Sequence, residues 1–159
     1  MKRIFKWTLA VVVVVFLLLQ FINPARTNPP VMHDLLASSP APPEIAAMLH
    51  SACYDCHSYE TRWPWYSRVA PVSWLVANDV TKGRKHLNFS DWFYDQPDRA
   101  AHKLEDMSDN VQSSDMPPSN YTLMHSEARL TAAQRDAFVK WADAESARLK
   151  ALPAAKAGK

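Results

Sequence analysis

The chain opens with a sharp contrast in hydropathy. Lys2, Arg3 and Lys6 precede an apolar run from Trp7 to Ile22 that only Thr8 and Gln20 interrupt. The pattern predicts an N-terminal helix over residues 1–22, of a length between a signal-peptide core and a spanning helix. Two features favour a retained single transmembrane helix over a cleaved signal peptide. Val11 to Val15, Phe16 and Leu17 to Leu19 are almost purely aliphatic, and the run meets Asn23, Pro24, Ala25 and Arg26 with no small-x-small cleavage site. The basic flank then places the N-terminus in the cytoplasm. The rest of the chain faces the periplasm or exterior, from a single pass through the cytoplasmic (inner) membrane.

Residues 23–43 carry six of the twelve prolines, with Asn, Ser and Thr between them. They read as an extended, semi-rigid linker. Residues 44–150 then alternate helical patterns with loops, and residues 151–159 read as a flexible tail. Between Glu44 and Cys53, Ile45, Met48, Leu49 and Ala52 recur on one helical face, behind Pro43 in the first turn. A second helix is expected from about Ser73 to Lys82, with Leu75, Val76 and Val80 inward and Gly83 as its stop. A third starts near Pro97 and aligns Ala100, Leu104, Met107 and Val111. Thr131 and Gln134 form a capping-box pattern that opens a last helix carrying Phe138 and Trp141. No alternating run argues for a sheet, so the fold class is mostly α.

Charge adds one exclusion. The chain has 18 basic and 16 acidic residues; setting Lys2, Arg3 and Lys6 aside leaves 15 against 16. A nucleic-acid surface needs a clustered basic face, and none is visible, so no nucleic-acid partner is expected.

The chemistry concentrates in Cys53-Tyr54-Asp55-Cys56-His57, which holds both cysteines of the chain. This spacing is the attachment signature of c-type haem. Two thiols three positions apart can each add to one vinyl group of a porphyrin, and the next histidine supplies an imidazole to the iron. A zinc site would need further ligands, usually thiolates. A thioredoxin-like pair belongs after a strand, and a disulfide leaves His57 unexplained. One covalent haem c with its iron is therefore expected, with Cys53, Cys56 and His57 as its holders.

The second axial ligand is less sharply marked. Haem iron in an electron carrier is often held by His and Met. Met107 fits the stripe of its helix. Met116 instead follows Ser113, Ser114 and Asp115 in a polar loop and precedes Pro117 and Pro118, which restrict the backbone beside it. Met116 is the preferred sixth ligand and His86 the alternative. Trp63, Trp65, Tyr66 and Trp74 crowd behind the motif; core packing is their expected role, with hydrogen bonds to haem propionates as a lesser one, also open to Arg62, Arg68, Asn88 and Tyr121.

The order of elements resembles small monohaem class I cytochromes c, implying a cytochrome c-like helical domain around one haem. A closer resemblance spans roughly Glu44 to Ala142. Cys53-Tyr54-Asp55-Cys56-His57-Ser58, Arg62-Trp63-Pro64-Trp65-Tyr66, Ala70-Pro71-Val72-Ser73-Trp74-Leu75, His86-Leu87-Asn88-Phe89-Ser90 and Met116-Pro117-Pro118 are similar to the bacterial haem-binding domain family. That resemblance implies a single c-type haem in an exported or membrane-tethered protein. The expected function is a one-electron carrier serving redox partner proteins rather than an enzyme. Two alternatives stand beside it: a five-coordinate haem sensor or peroxidase-like enzyme, and the haem subunit of a larger respiratory complex.

Overall fold

In the computed structural model, which describes residues 1–152, the described residues are mostly helical and contain no strand; one isolated bridge pairs His33 with Asp91. The helices are α1 (Lys2–Leu19), α2 (Leu35–Ser38), α3 (Pro43–Ala52), α4 (Tyr54–His57), α5 (Val72–His86), α6 (Pro97–Gln112), α7 (Ser119–Met124) and α8 (Ala132–Lys150). Short 3-10 turns lie at Trp65–Arg68 and Ser126–Ala128.

The core forms where α6 packs along α8 and α3 closes one end. Ile45, Met48 and Leu49 of α3 meet Ala100, Ala101, Leu104, Met107 and Val111 of α6 and Phe138, Ala142 and Leu149 of α8. The stripe expected on the third helix is the face that α6 buries. The start of α8 is fixed as its sequence predicts. Thr131 Oγ1 accepts from the Gln134 backbone N–H, and Gln134 Oε1 accepts from the Thr131 N–H. Each bond satisfies a donor that a helix start leaves open.

The transmembrane expectation fails: among the described residues no helix is long and apolar enough to cross a membrane. The reason lies in both ends of α1. Its first turns hold Lys2, Arg3 and Lys6, and it stops at Leu19 rather than Ile22. The uncharged part, from Trp7 to Leu19, spans about 20 Å at 1.5 Å per residue, against roughly 30 Å of bilayer hydrocarbon. Gln20 ends it by turning onto the domain, where its side chain donates to Ala70 O and accepts from the Ala70 N–H. The single-pass placement in the inner membrane falls with it.

Residues 23–43 do not stand off as an extended spacer. Leu35 is fully buried in the core, and Asp34 caps α2 by accepting from the N–H groups of Leu36 and Ala37. Met32 N donates to Ser90 O, and Leu35 N to Phe89 O. The proline count misled because prolines also fit a segment that lies along a surface and borrows its hydrogen bonds from elsewhere. Most of the 151–159 tail lies outside the described residues.

The second helix also departs from expectation. It runs from Val72 through Gly83 to His86, burying Ser73, Ala77 and Val80, while Leu75 is exposed. Gly83 is an interior helical position at which α5 approaches α4: a Cβ there would lie 2.4 Å from Cys56 O.

Candidate haem site

The two thiols sit at the break between α3 and α4. Cys53 closes α3 by donating its N–H to Leu49 O, then begins α4, where His57 N returns to Cys53 O. This break sets Cys53, Cys56 and His57 within one helical turn, and both cysteines are free. Burial, followed by the neighbouring Cys56, pushes the Cys53 thiol up to about 12. Burial, followed by Asp55 and Asp79 and opposed by Arg84, pushes Cys56 up to about 11. Both groups are therefore neutral thiols near pH 7.

His57 is oriented from behind. Its Nδ1 lies 3.1 Å from Leu87 O, the residue just beyond α5, and Phe89 N donates to His57 O at 2.7 Å. Bonding Nδ1–H to a carbonyl fixes the tautomer in which Nε2 carries the lone pair, the form that ligates a metal. Burial also lowers the pKa of His57, against the hydrogen bonds to the Leu87 and Gly83 carbonyls that raise it, so the neutral ring prevails.

The motif's fourth feature was not singled out in the sequence. Asp55, between the thiols, is buried and collects four donors. The Arg62 N–H and Nε reach Oδ1 at 2.9 and 3.2 Å; Arg62 Nη2 and Tyr121 Oη reach Oδ2 at 3.1 and 2.9 Å. A buried carboxylate is tolerated only when its lone pairs are satisfied in this way. The available signal was an acidic residue enclosed by two cysteines, with an arginine seven positions on.

Arg84 ties the site together from α5. It donates to Ser58 O, Thr27 O, Asn28 Oδ1 and Thr61 Oγ1, which links residues 27 and 28 to the loop behind the motif. Most side chains considered for propionates are already engaged. Arg62 and Tyr121 hold Asp55, the Trp63 indole donates to Asn28, the Trp74 indole to Ile22 O, and Asn88 Oδ1 accepts from Ser90 N. Tyr66 pairs with His125 at 2.6 Å. Trp65, expected as packing, is 74% exposed.

Met116 lies in the segment between α6 and α7, 37% exposed. Its N–H donates to Asn110 O, and Arg135 Nη1 donates to Met116 O and Val111 O. Five residues on, Tyr121 reaches Asp55, so the segment after Met116 is fastened to the thiol motif itself. His86 stands differently. It is the last residue of α5, directly before the Leu87 carbonyl that holds the rear of the His57 ring. Were His57 to hold an iron through Nε2, His86 would stand on the Nδ1 side of that ring, away from the metal.

The donor set and its surroundings fit a haem. Two neutral thiols and an imidazole with a free Nε2 share one turn. Large apolar side chains left exposed outside α1 include Trp65, Val72, Leu75, Met116, Leu123 and Met124. They belong to segments packed on or tied to the motif: the 65–68 turn on α5, α5 on α4, and the 116–124 segment through Tyr121. Exposed apolar side chains on these segments are compatible with a large apolar group beside the motif.

A family model described as a haem-binding domain matches residues 14–144, including every residue of this site. Among curated proteins and among solved structures, none matches the chain.

Proposed function

The chain belongs to the haem-binding domain family, and from that premise we propose that it is a one-electron carrier holding a single covalent haem c. Cys53 and Cys56 supply the sulfurs of two thioether bonds. His57 provides the proximal imidazole through Nε2, and Met116 provides the sixth ligand through its thioether. The bound group would contribute one-electron exchange at its iron. The protein's own residues fix everything around it. Leu87 O holds the His57 ring in one tautomer, Gly83 lets α5 close behind α4, and Asp55 is satisfied by Arg62 and Tyr121. The observation that carries the reading is the His57 Nδ1 bond to Leu87 O, beside two unpaired thiols.

Carrier function follows from saturation of the iron, since a metal with two protein ligands leaves no open position for a substrate. Redox partner proteins are then its natural counterparts. One observation favours the five-coordinate reading, a sensor or peroxidase-like enzyme: Met116 is partly exposed.

Spectra of the purified protein, oxidised and reduced, with and without carbon monoxide, separate the two. The carrier shows a weak far-red sulfur-to-iron band when oxidised and resists carbon monoxide when reduced. Ready binding of carbon monoxide by the wild type would overturn the carrier reading.

A further inference from the structure

Tyr121 belongs to no part of the haem attachment, yet it is the side chain that joins the Met116 segment to it. Two sets of contacts fasten that segment. Upstream, Arg135 and Asn110 hold the Met116 backbone to α8 and α6, on the side of the main core. Downstream, the Tyr121 hydroxyl donates 2.9 Å to Asp55 Oδ2, with Ser51 O at 3.4 Å as a second acceptor.

The Tyr121 ring is itself held in place. It stacks on His125 at 4.1 Å between centroids and 8° between planes. His125 is bracketed in turn by the Tyr66 hydroxyl on Nε2 and Glu127 on Nδ1. Burial, then the charge of Asp55, raises the Tyr121 hydroxyl well above its ordinary pKa, which keeps its proton available for donation. Asp55 cannot yield: the residue is buried, and the other hydrogen bonds to its carboxylate all come from Arg62. The phenol therefore connects two rigid bodies, the thiol turn and the stacked 121–127 segment.

We propose that Tyr121 is a positioning residue for the sixth iron ligand, holding the Met116 segment within reach of the haem through its hydrogen bond to Asp55. The proposal rests on the reading of Met116 as that ligand. Loss of the hydroxyl leaves the segment held only by its upstream contacts and the Tyr66–His125 bond, and this loosening raises the fraction of time the sixth position stands open. An external ligand that needs an open position then binds faster in proportion.

The test uses the haem-loaded protein and imidazole as the probe. Tyr121→Phe keeps the ring and its stack on His125 and removes only the donor. The expected result is full haem content, a weakened far-red sulfur band and imidazole capture by oxidised protein about tenfold faster. That factor equals 1.4 kcal/mol, the scale of one hydrogen bond to a charged acceptor. A variant with a lowered melting temperature but wild-type band and capture rate would make Tyr121 purely structural and overturn the proposal. Failure to load haem would also count against it, because the hydroxyl would then serve folding. Met116→Ala, measured alongside, keeps the two ideas apart. If it matches the wild type, the ligand reading falls and the proposal with it; if it loses the band while Tyr121→Phe does not, only the positioning role is lost.

Discussion

Gly83→Ala tests the closest approach in the site, because two effects of the substitution have opposite signs. In an ordinary helix interior, alanine is the better residue by about 0.5–1 kcal/mol, since glycine loses more backbone freedom on folding. Here the new Cβ would stand 2.4 Å from Cys56 O, 3.0 Å from Cys56 C and 3.2 Å from Cys56 Cβ. The first contact is roughly 1 Å inside ordinary van der Waals distance, and the atom it meets is backbone, which cannot rotate away. Relief requires α5 to lift from α4, a form of overpacking that costs about 1–3 kcal/mol. The net expectation is destabilisation by about 1–2 kcal/mol after the helix gain is subtracted. The displacement has a chemical consequence as well. Leu87 O, which orients His57, is carried at the end of α5, so lifting that helix loosens the 3.1 Å bond to Nδ1. Urea denaturation and the yield of covalently loaded haem measure the two parts. A Gly83→Ala protein that is more stable than wild type and loads haem normally would refute the close approach and return Gly83 to an incidental helix position.

Haem should remain with the polypeptide under denaturing electrophoresis, and Cys53→Ala or Cys56→Ala should reduce the yield of loaded protein; haem extracted by acid acetone from the wild type would contradict thioether attachment. Leu35→Ala should cost about 2–5 kcal/mol, because this side chain from the presumed linker is fully buried; a loss within 0.5 kcal/mol of zero would show that residues 23–43 do stand apart. Glu145 gives a pH signature. Burial is the largest single influence and raises its carboxyl, but the two-pronged bond to Arg148, at 2.6 and 2.7 Å, together with Ser39 and the Arg148 charge, outweighs it and leaves the pKa below its ordinary value. A depressed carboxylate contributes stability that is complete above about pH 4.5 and lost as pH falls through the lower folded value. Glu145→Gln should flatten that acid limb by about 1 kcal/mol or less, since Arg148 is half exposed; an unchanged limb in thermal melts from pH 3 to 6 would exclude the pair as its source.

Periodic apolar patterns were legible wherever one helix face meets one partner. Ile45, Met48 and Leu49, and the Ala100-to-Val111 stripe, are buried as the sequence suggests, because α3 and α6 each present one side to the same core. The pattern fails on α5, where it points Leu75 inward and ends the helix at Gly83, while the structure exposes Leu75 and carries the helix on to His86. A helix that borders a cofactor carries two apolar faces, one toward the protein and one toward the ligand. Hydropathy cannot separate them. Val72 and Leu75 are exposed beside the buried Ser73, Ala77 and Val80, and the proposed haem would give them such a second partner. The N-terminal run failed for another reason. Apolar composition was read through Gln20, although a polar side chain with two hydrogen bonds to Ala70 is what ends the helix.

The site divides along the same line between local and distant order. Cys53, Cys56 and His57 are adjacent in sequence, so their chemistry is written in the spacing and the fold has only to present it. What orients them comes from far along the chain: Leu87 O behind the imidazole, Gly83 against Cys56, Tyr121 on Asp55. None of these has a local signature. A carbonyl is present at every residue, glycine serves equally as a helix stop, and a tyrosine near an aromatic cluster suggests packing before donation. Asp55 shows how burial changes the meaning of a residue. In sequence it is the variable position of a motif. In the fold its carboxylate draws Arg62 and Tyr121 to the thiol turn, because an ion removed from water must be met by donors. On the proposed reading, attachment of the haem would thus be local in sequence, whereas control of its second face would be left to tertiary contacts that converge on Asp55.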